Sequence, residues 1–258
     1  TSINAVGYLG LLLIAADLHH HKASELEVIL PPRAEVYSPI VHLQLPQLCE
    51  EFAGARCTTW RIRISRPAQK LPLHQPNSYS RIVLLRDLAS AKQFAKEMLE
   101  TLTGQLHLST DVAGTICTTV TELTGNIYQH ARTKLGGVAA VEVVSGANPP
   151  KVILAIGDLG VGIPHTLREA GVIGGDVGDA DAIAIAIGAG TSSKGKGPSG
   201  RGGGLFRCRE NAERFDYALG IRSGCGYHLT WGSRVYQVMS GKYFRGTQVF
   251  FGLFGEGS

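Results

Sequence analysis

Val112, Ile116, Val120, Leu123 and Ile127 recur at a spacing that places them on one face of an amphipathic helix. Beside that stripe run Glu122, Asn126 and His130, each four residues from the next and therefore on one edge of the same helix. A carboxylate, an amide and an imidazole thus line the rim of whatever the helix packs on, where a ligand can reach them. The stretch is not built for helix stability. Asn and His are weak helix formers, and Gly125 in mid-helix costs about 1 kcal/mol relative to Ala. Singly, each polar residue fits a solvated helix face; the three together point to a binding edge.

Two further segments carry groups that complete such an edge. An apolar run, Val152 to Gly157, ends in Asp158-Leu-Gly160-Val-Gly162. There a carboxylate can accept from an exocyclic amine while glycines let the backbone turn under a flat base; the same residues also suit an Asx turn closing a strand. Gly200-Arg-Gly-Gly-Gly-Leu205 then opens a helix. Backbone donors at a helix N-terminus bind anions and glycine permits close approach, so this is a phosphate cradle or, alternatively, a loop tip. Gly190-Thr-Ser-Ser-Lys-Gly-Lys196 spells G-x-x-x-x-G-K, but Gly197 stands where a magnesium-binding Ser or Thr belongs, and Pro198 and Gly200 prevent a helix from starting there. A P-loop is rejected.

Composition narrows the class. With 18% charged and 44% hydrophobic residues the chain reads as an ordinary soluble globular protein. The glycines, 33 in all, concentrate between Gly157 and Gly204. A net charge of +4 without a basic stripe interleaved with aromatics gives no footprint for nucleic acid. Cys49, Cys57, Cys117, Cys208 and Cys225 form no C-x-x-C pair, which predicts reduced thiols in a cytoplasmic protein, without disulfide or zinc. Val6 to Ala16 is about half a bilayer span and has no basic region before it, so it reads as a core helix rather than an anchor or signal peptide. His19, His20 and His21 close that helix, where cations suit its dipole and where a metal site is an alternative.

The order of elements suggests two domains. Residues 1–65 alternate helix (6–20), strand (26–30), helix (40–52) and strand (60–64), a small α/β unit. Residues 66–80 carry Pro67, Pro72 and Pro76 and read as a linker. From 81 onward the pattern predicts a strand at 82–85, a helix over 88–102, a helix from Ser109 to about Arg132, strands at 138–144 and 152–157, a short helix after Asp179 and another over 203–215. Strands at 217–221, 227–231, 235–239 and 247–251 follow, joined in part by hairpins. Helices on one face of a mixed, mostly antiparallel sheet make an α+β, two-layer sandwich.

The segments E-x-x-x-N-x-x-x-H, D-x-G-x-G, the glycine-rich turn into Leu205 and the late Gly246-Thr247 strand, in this order, resemble the GHKL ATP-binding superfamily of gyrase, the ninety-kilodalton heat-shock chaperone, histidine kinases and MutL. The resemblance covers roughly residues 80 to 254 and implies the Bergerat ATP-binding fold with ATP and Mg²⁺ as ligands. It implies Asn126 on Mg²⁺, Glu122 as general base and His130 near phosphate oxygens. Asp158 would accept from the adenine amine, with Gly160, Gly162 and Thr247 beside the base. Arg201, Gly202, Gly203, Gly204 and Leu205 would close the phosphates, and residues 163–200 would form a lid that contributes Thr191, Ser192 and Lys194. The third box, Gly-Arg-Gly-Gly-Gly-Leu, departs somewhat from the family pattern. No phosphoacceptor histidine pattern occurs, and the domain is too short for the transducer that gyrase and MutL append. Within the superfamily the chain looks like the stand-alone branch of anti-sigma factor serine kinases, and residues 1–65 faintly resemble part of a STAS domain. A regulator that phosphorylates or grips a protein partner, an autonomous ATPase cycling through lid closure or homodimerisation, and a non-hydrolysing nucleotide-gated module are the functions this implies. Neither nucleic acid nor membrane is an expected partner.

Overall fold

The computed structural model describes residues 25–30, 59–64, 78–105, 107–134, 136–144, 151–188 and 203–253. Strands β1 (Glu25–Leu30) and β2 (Thr59–Ile64) pair in parallel, Glu25 opposite Thr59 through Leu30 opposite Ile64. A parallel pair requires a long crossover, which agrees with an alternating α/β unit. The helices expected at 6–20 and 40–52, His19 to His21, and most of the linker lie outside the described residues.

The larger unit is a five-stranded sheet in the order β3 (Ser78–Leu85), β4 (Gly137–Val144), β5 (Lys151–Asp158), β7 (Arg234–Leu253), β6 (Ala218–Trp231). All four neighbouring pairs are antiparallel, so the parallel component expected of a mixed sheet does not occur here. The α+β architecture itself is as expected. β3 begins at Ser78, inside the segment taken as linker, because Ser78 to Leu85 pair continuously with Val144 to Gly137. The four late strands expected from the sequence are two long ones, β6 and β7, which bend at an irregularity between Ser223 and Gly226 rather than stopping there.

One face of the sheet carries two rows of side chains in register, Val141, Leu154, Phe251 and Leu219, then Ala139, Ile156, Val249 and Ile221. Onto these pack Phe94 and Met98 of α1 (Leu88–Glu100), Ile116, Val120 and Leu123 of α2 (Thr110–Asn126), and Cys208 and Ala212 of α5 (Gly204–Arg214). Alternate positions Val138, Ala140, Ile153 and Ala155 are buried too, which is why β4 and β5 read as continuous apolar runs instead of alternating ones. Asp87 and Ser90 form a capping box at α1, and Ser109 caps α2 through the Val112 amide.

The span expected to be a lid is largely folded structure. α3 (Ile163–Glu169) and α4 (Asp179–Ala186) enclose a small core of Leu167, Ile173 and Ala182, and Ile183 and Ile187 enter the main core. α4 is the short helix expected after Asp179, whereas the apolar spacing of α3 is obscured by the Gly- and Asp-rich turn that follows it. Of the segment expected to be a lid, residues 189–200 lie outside the described residues. No helix among the described residues is long and apolar enough to cross a membrane.

Candidate functional site

The helix bearing the polar edge changes pitch within it. α2 ends at Asn126 and continues as a π-helical turn, Ile127–Ala131, closed by Arg132 in the left-handed conformation at φ 52°. Thr118, Thr121 and Thr124 donate to the carbonyls of Gly114, Cys117 and Val120 at 2.8 to 2.9 Å. Such back-bonding competes with the helical ladder, and Gly125 with Asn126 follows directly, so the last turn widens. Single π turns are frequent at functional sites. An α-turn carries a residue four positions on slightly past a full circle and a π-turn leaves it slightly short, so Glu122, Asn126 and His130 stay on one edge. Glu122, Asn126 and His130 are all half-buried, and the Asn126 side chain makes no capping bond.

The end of this helix lies against the turn that follows β5. The Val161 amide donates to the Ala131 carbonyl at 3.0 Å. A Cβ on Gly160 would collide with that same carbonyl, so only glycine permits the approach. Gly246, at φ 84°, presses equally closely on the Asp158 carbonyl. Three segments remote in sequence thus meet around Asp158, which is 5% exposed. Its Oδ1 accepts from the Gly160 amide at 2.7 Å, the bond of an Asx turn, and the Thr247 amide also donates to the carboxylate. Burial outweighs both donors and pushes the Asp158 carboxyl up to about 6. A buried carboxylate held partly desolvated is a strong acceptor for an incoming donor, and such perturbed groups cluster at functional sites.

Ser223 fastens this cluster and has no signature in the sequence, where it is one small residue within a strand. Fully buried, it donates to the Gly246 carbonyl at 2.8 Å, accepts from the Ile163 amide at 2.9 Å and lies 3.2 Å from the Thr247 hydroxyl. It therefore ties the start of α3 to the Gly246-Thr247 strand. We expect Ser223→Ala to cost roughly 1 to 3 kcal/mol of stability, because it leaves a buried carbonyl and a part-buried amide without their partner; urea denaturation measures it, and an unchanged midpoint would show the tie to be dispensable.

Glu122 sits at the other end of the edge, nine positions before Ala131 and so roughly 13 Å away along the helix. It faces the start of α5, where a Cβ on Gly204 would come within 2.8 Å of Glu122 Oε2. The Arg207 guanidinium donates to Glu122 Oε1 at 2.6 Å. One turn on, Asn211 donates to Thr119 at 3.2 Å, and Cys208 is buried beside Glu122 with its thiol pushed up by burial and then by that charge. Arg207, like Ser223, was not legible as a site residue. Gly203, Gly204 and Leu205 form the entry to α5 as expected. Thr191, Ser192, Lys194, Arg201 and Gly202 lie outside the described residues.

Among the described residues there is no group of three His, Cys, Asp or Glu side chains placed to hold a metal ion. Cys117, Cys208 and Cys225 are free thiols. Comparison with protein-family models and with curated proteins finds no match.

Proposed function

We propose that this chain binds Mg-ATP along the edge from Asp158 to Glu122, as a Bergerat-type domain, and acts as a cytoplasmic regulator that transfers phosphate to, or in its nucleotide state grips, a protein partner. The observation that carries the reading is the convergence on one buried carboxylate of the Asp158–Gly162 turn, the His130–Ala131 helix end and the Gly246-Thr247 strand. Three of the four sequence motifs meet there, and the fourth opens α5 beside Glu122. The two ends of the edge are separated by a distance comparable to an extended nucleoside triphosphate.

In this reading Asp158 accepts from the adenine amine and Thr247 lies beside the base. Asn126 offers one neutral amide oxygen, a fitting protein contribution to Mg²⁺, which keeps several waters and takes its remaining ligands from phosphates. Amides at Gly203 and Gly204 face the phosphates with the positive end of the α5 dipole behind them. Glu122 accepts the proton of an attacking hydroxyl or water. Arg207 neutralises Glu122 in the structure described here, so the carboxylate has to leave that pair before it can act as a base. The β1–β2 unit, with its STAS-like pattern, is the proposed partner-facing portion.

Asn126→Ala should remove the magnesium dependence of ATP affinity, measured by titration with and without Mg²⁺; an unaltered dependence would take Asn126 off the metal. Incubation with γ-labelled Mg-ATP separates the classes. Label retained in bound ATP until a protein substrate is supplied fits the regulator, whereas free phosphate released by the chain alone fits the ATPase alternative.

A further inference from the structure

Beyond the bend at Ser223 to Gly226, β6 and β7 continue as a hairpin arm in which Tyr227 pairs with Val238, Leu229 with Tyr236 and Trp231 with Arg234, folded back so that the Thr230 hydroxyl donates to the Leu219 carbonyl at 3.4 Å. Its base is fixed. The Cys225 amide donates to Asp179 at 2.8 Å, and the Ala180 amide points at the Met239 sulfur at 3.4 Å. Its far part is unlike the rest of the surface, because every residue from Trp231 to Met239 is exposed. Trp231, Val235, Tyr236, Val238, Met239 and Tyr243 are 41% to 66% exposed. Val235 and Met239 point to one face of the arm and Tyr236 and Val238 to the other, so the outer strand is apolar on both sides. Among the described residues its Arg234–Met239 part pairs only with β6, while its later part also pairs with β5. Between Arg234 and Met239 it carries none of the lysines, inward charges or prolines that normally blunt an edge, apart from Arg234 itself.

We propose that two copies of this chain join edge to edge through Arg234 to Met239, making one antiparallel sheet across the two arms. The sequence of the strand fits a two-fold axis at Gln237. Antiparallel pairing about that residue sets Tyr236 against Val238 of the other copy, an aromatic and β-branched pair of the stabilising kind. It sets Val235 against Met239, and Gln237 against itself, where two amides can bond each other. Arg234 then meets Ser240, so no like charges face one another. A two-fold interface has to be self-complementary in this sense. The four exposed apolar side chains of the seam offer on the order of 400 Å² per copy, and on the order of 800 Å² for the pair belongs to weak, reversible associations. A segment apolar on both faces and open at its edge is completed by an identical one, without a second sequence having to be complementary.

Sedimentation velocity on the full chain over a range of concentrations tests this. The expected result is a reversible monomer–dimer equilibrium in which Val238→Lys raises the dissociation constant at least about tenfold, with the melting temperature of the monomer unchanged. Register is read separately: Gln237→Cys should give a disulfide-linked dimer on mild oxidation beyond that of the parent chain, and Val235→Cys should not. A chain monomeric at every concentration overturns the proposal, whether or not it captures an extended peptide. So does a dimer that withstands Val238→Lys or cross-links equally through both cysteines. Nucleotide binding enters none of these readouts.

Discussion

Glu122→Gln lowers turnover of Mg-ATP by about a hundredfold or more, the scale of general-base catalysis, and leaves Mg-ATP binding in place. Gln keeps the shape and the hydrogen-bonding oxygen of Glu122 but cannot take a proton. The substitution also removes the charge that Arg207 neutralises. That pair is partly open to solvent, with side chains 57% and 26% exposed, and pairs of this kind contribute about 1 kcal/mol or less. A hundredfold loss therefore could not come from unfolding, which a melting curve on the same preparation verifies. Phosphate transfer or release at saturating Mg-ATP is the assay, with the protein substrate present if the chain requires one. Turnover equal to that of the parent chain would remove Glu122 from the chemistry.

Asp158→Asn removes the preference for ATP over GTP and flattens two pH dependences. The Asp158 carboxyl titrates near 6 in the folded chain and near 4 when unfolded, so between these values the folded state holds the extra proton. Its contribution to stability is thus full below about pH 4 and is lost as the pH rises through about 6. At neutral pH the buried charge costs on the order of 3 kcal/mol. Denaturation midpoints of the parent chain should fall across that window, and those of Asp158→Asn should not follow. Nucleotide affinity should run the opposite way. An adenine amine needs the charged acceptor, so ATP binding weakens as the pH drops below about 6, and the difference between parent and Asp158→Asn isolates this from titration of the phosphates. A variant that still prefers ATP places the base reader elsewhere.

The site and the sheet were legible to different depths, for physical reasons. Helical and strand periodicities located α1, α2, α5, β4 and β5 to within a few residues, because each buries a continuous apolar face. The strands at 227–231 and 235–239 were legible, but their continuity with 217–221 and 247–251 through the irregularity between Ser223 and Gly226 was not, since such an irregularity re-aims a strand without ending it. The helix after Asp179 was legible and is α4, whereas α3 was masked by the glycine-rich composition that also suggested a lid. In the site, glycines gave Gly160 and Gly246 away, since only close backbone approach explains them. Ser223 and Arg207 act through contacts 23 to 85 residues distant in sequence, which no local pattern encodes. The π-helical turn was hidden for a similar reason: threonines bonding back to the ladder loosen a helix without altering its apolar spacing.

Isothermal titration of the chain with Mg-ATP, followed by Mg-GTP, at pH 7.5 tests the nucleotide reading most directly. The expected result is saturable binding of one Mg-ATP per chain, weak or absent binding of Mg-GTP, and loss of that discrimination in Asp158→Asn. No saturable heat with Mg-ATP, or equal affinity for both nucleotides in the parent chain, would contradict it.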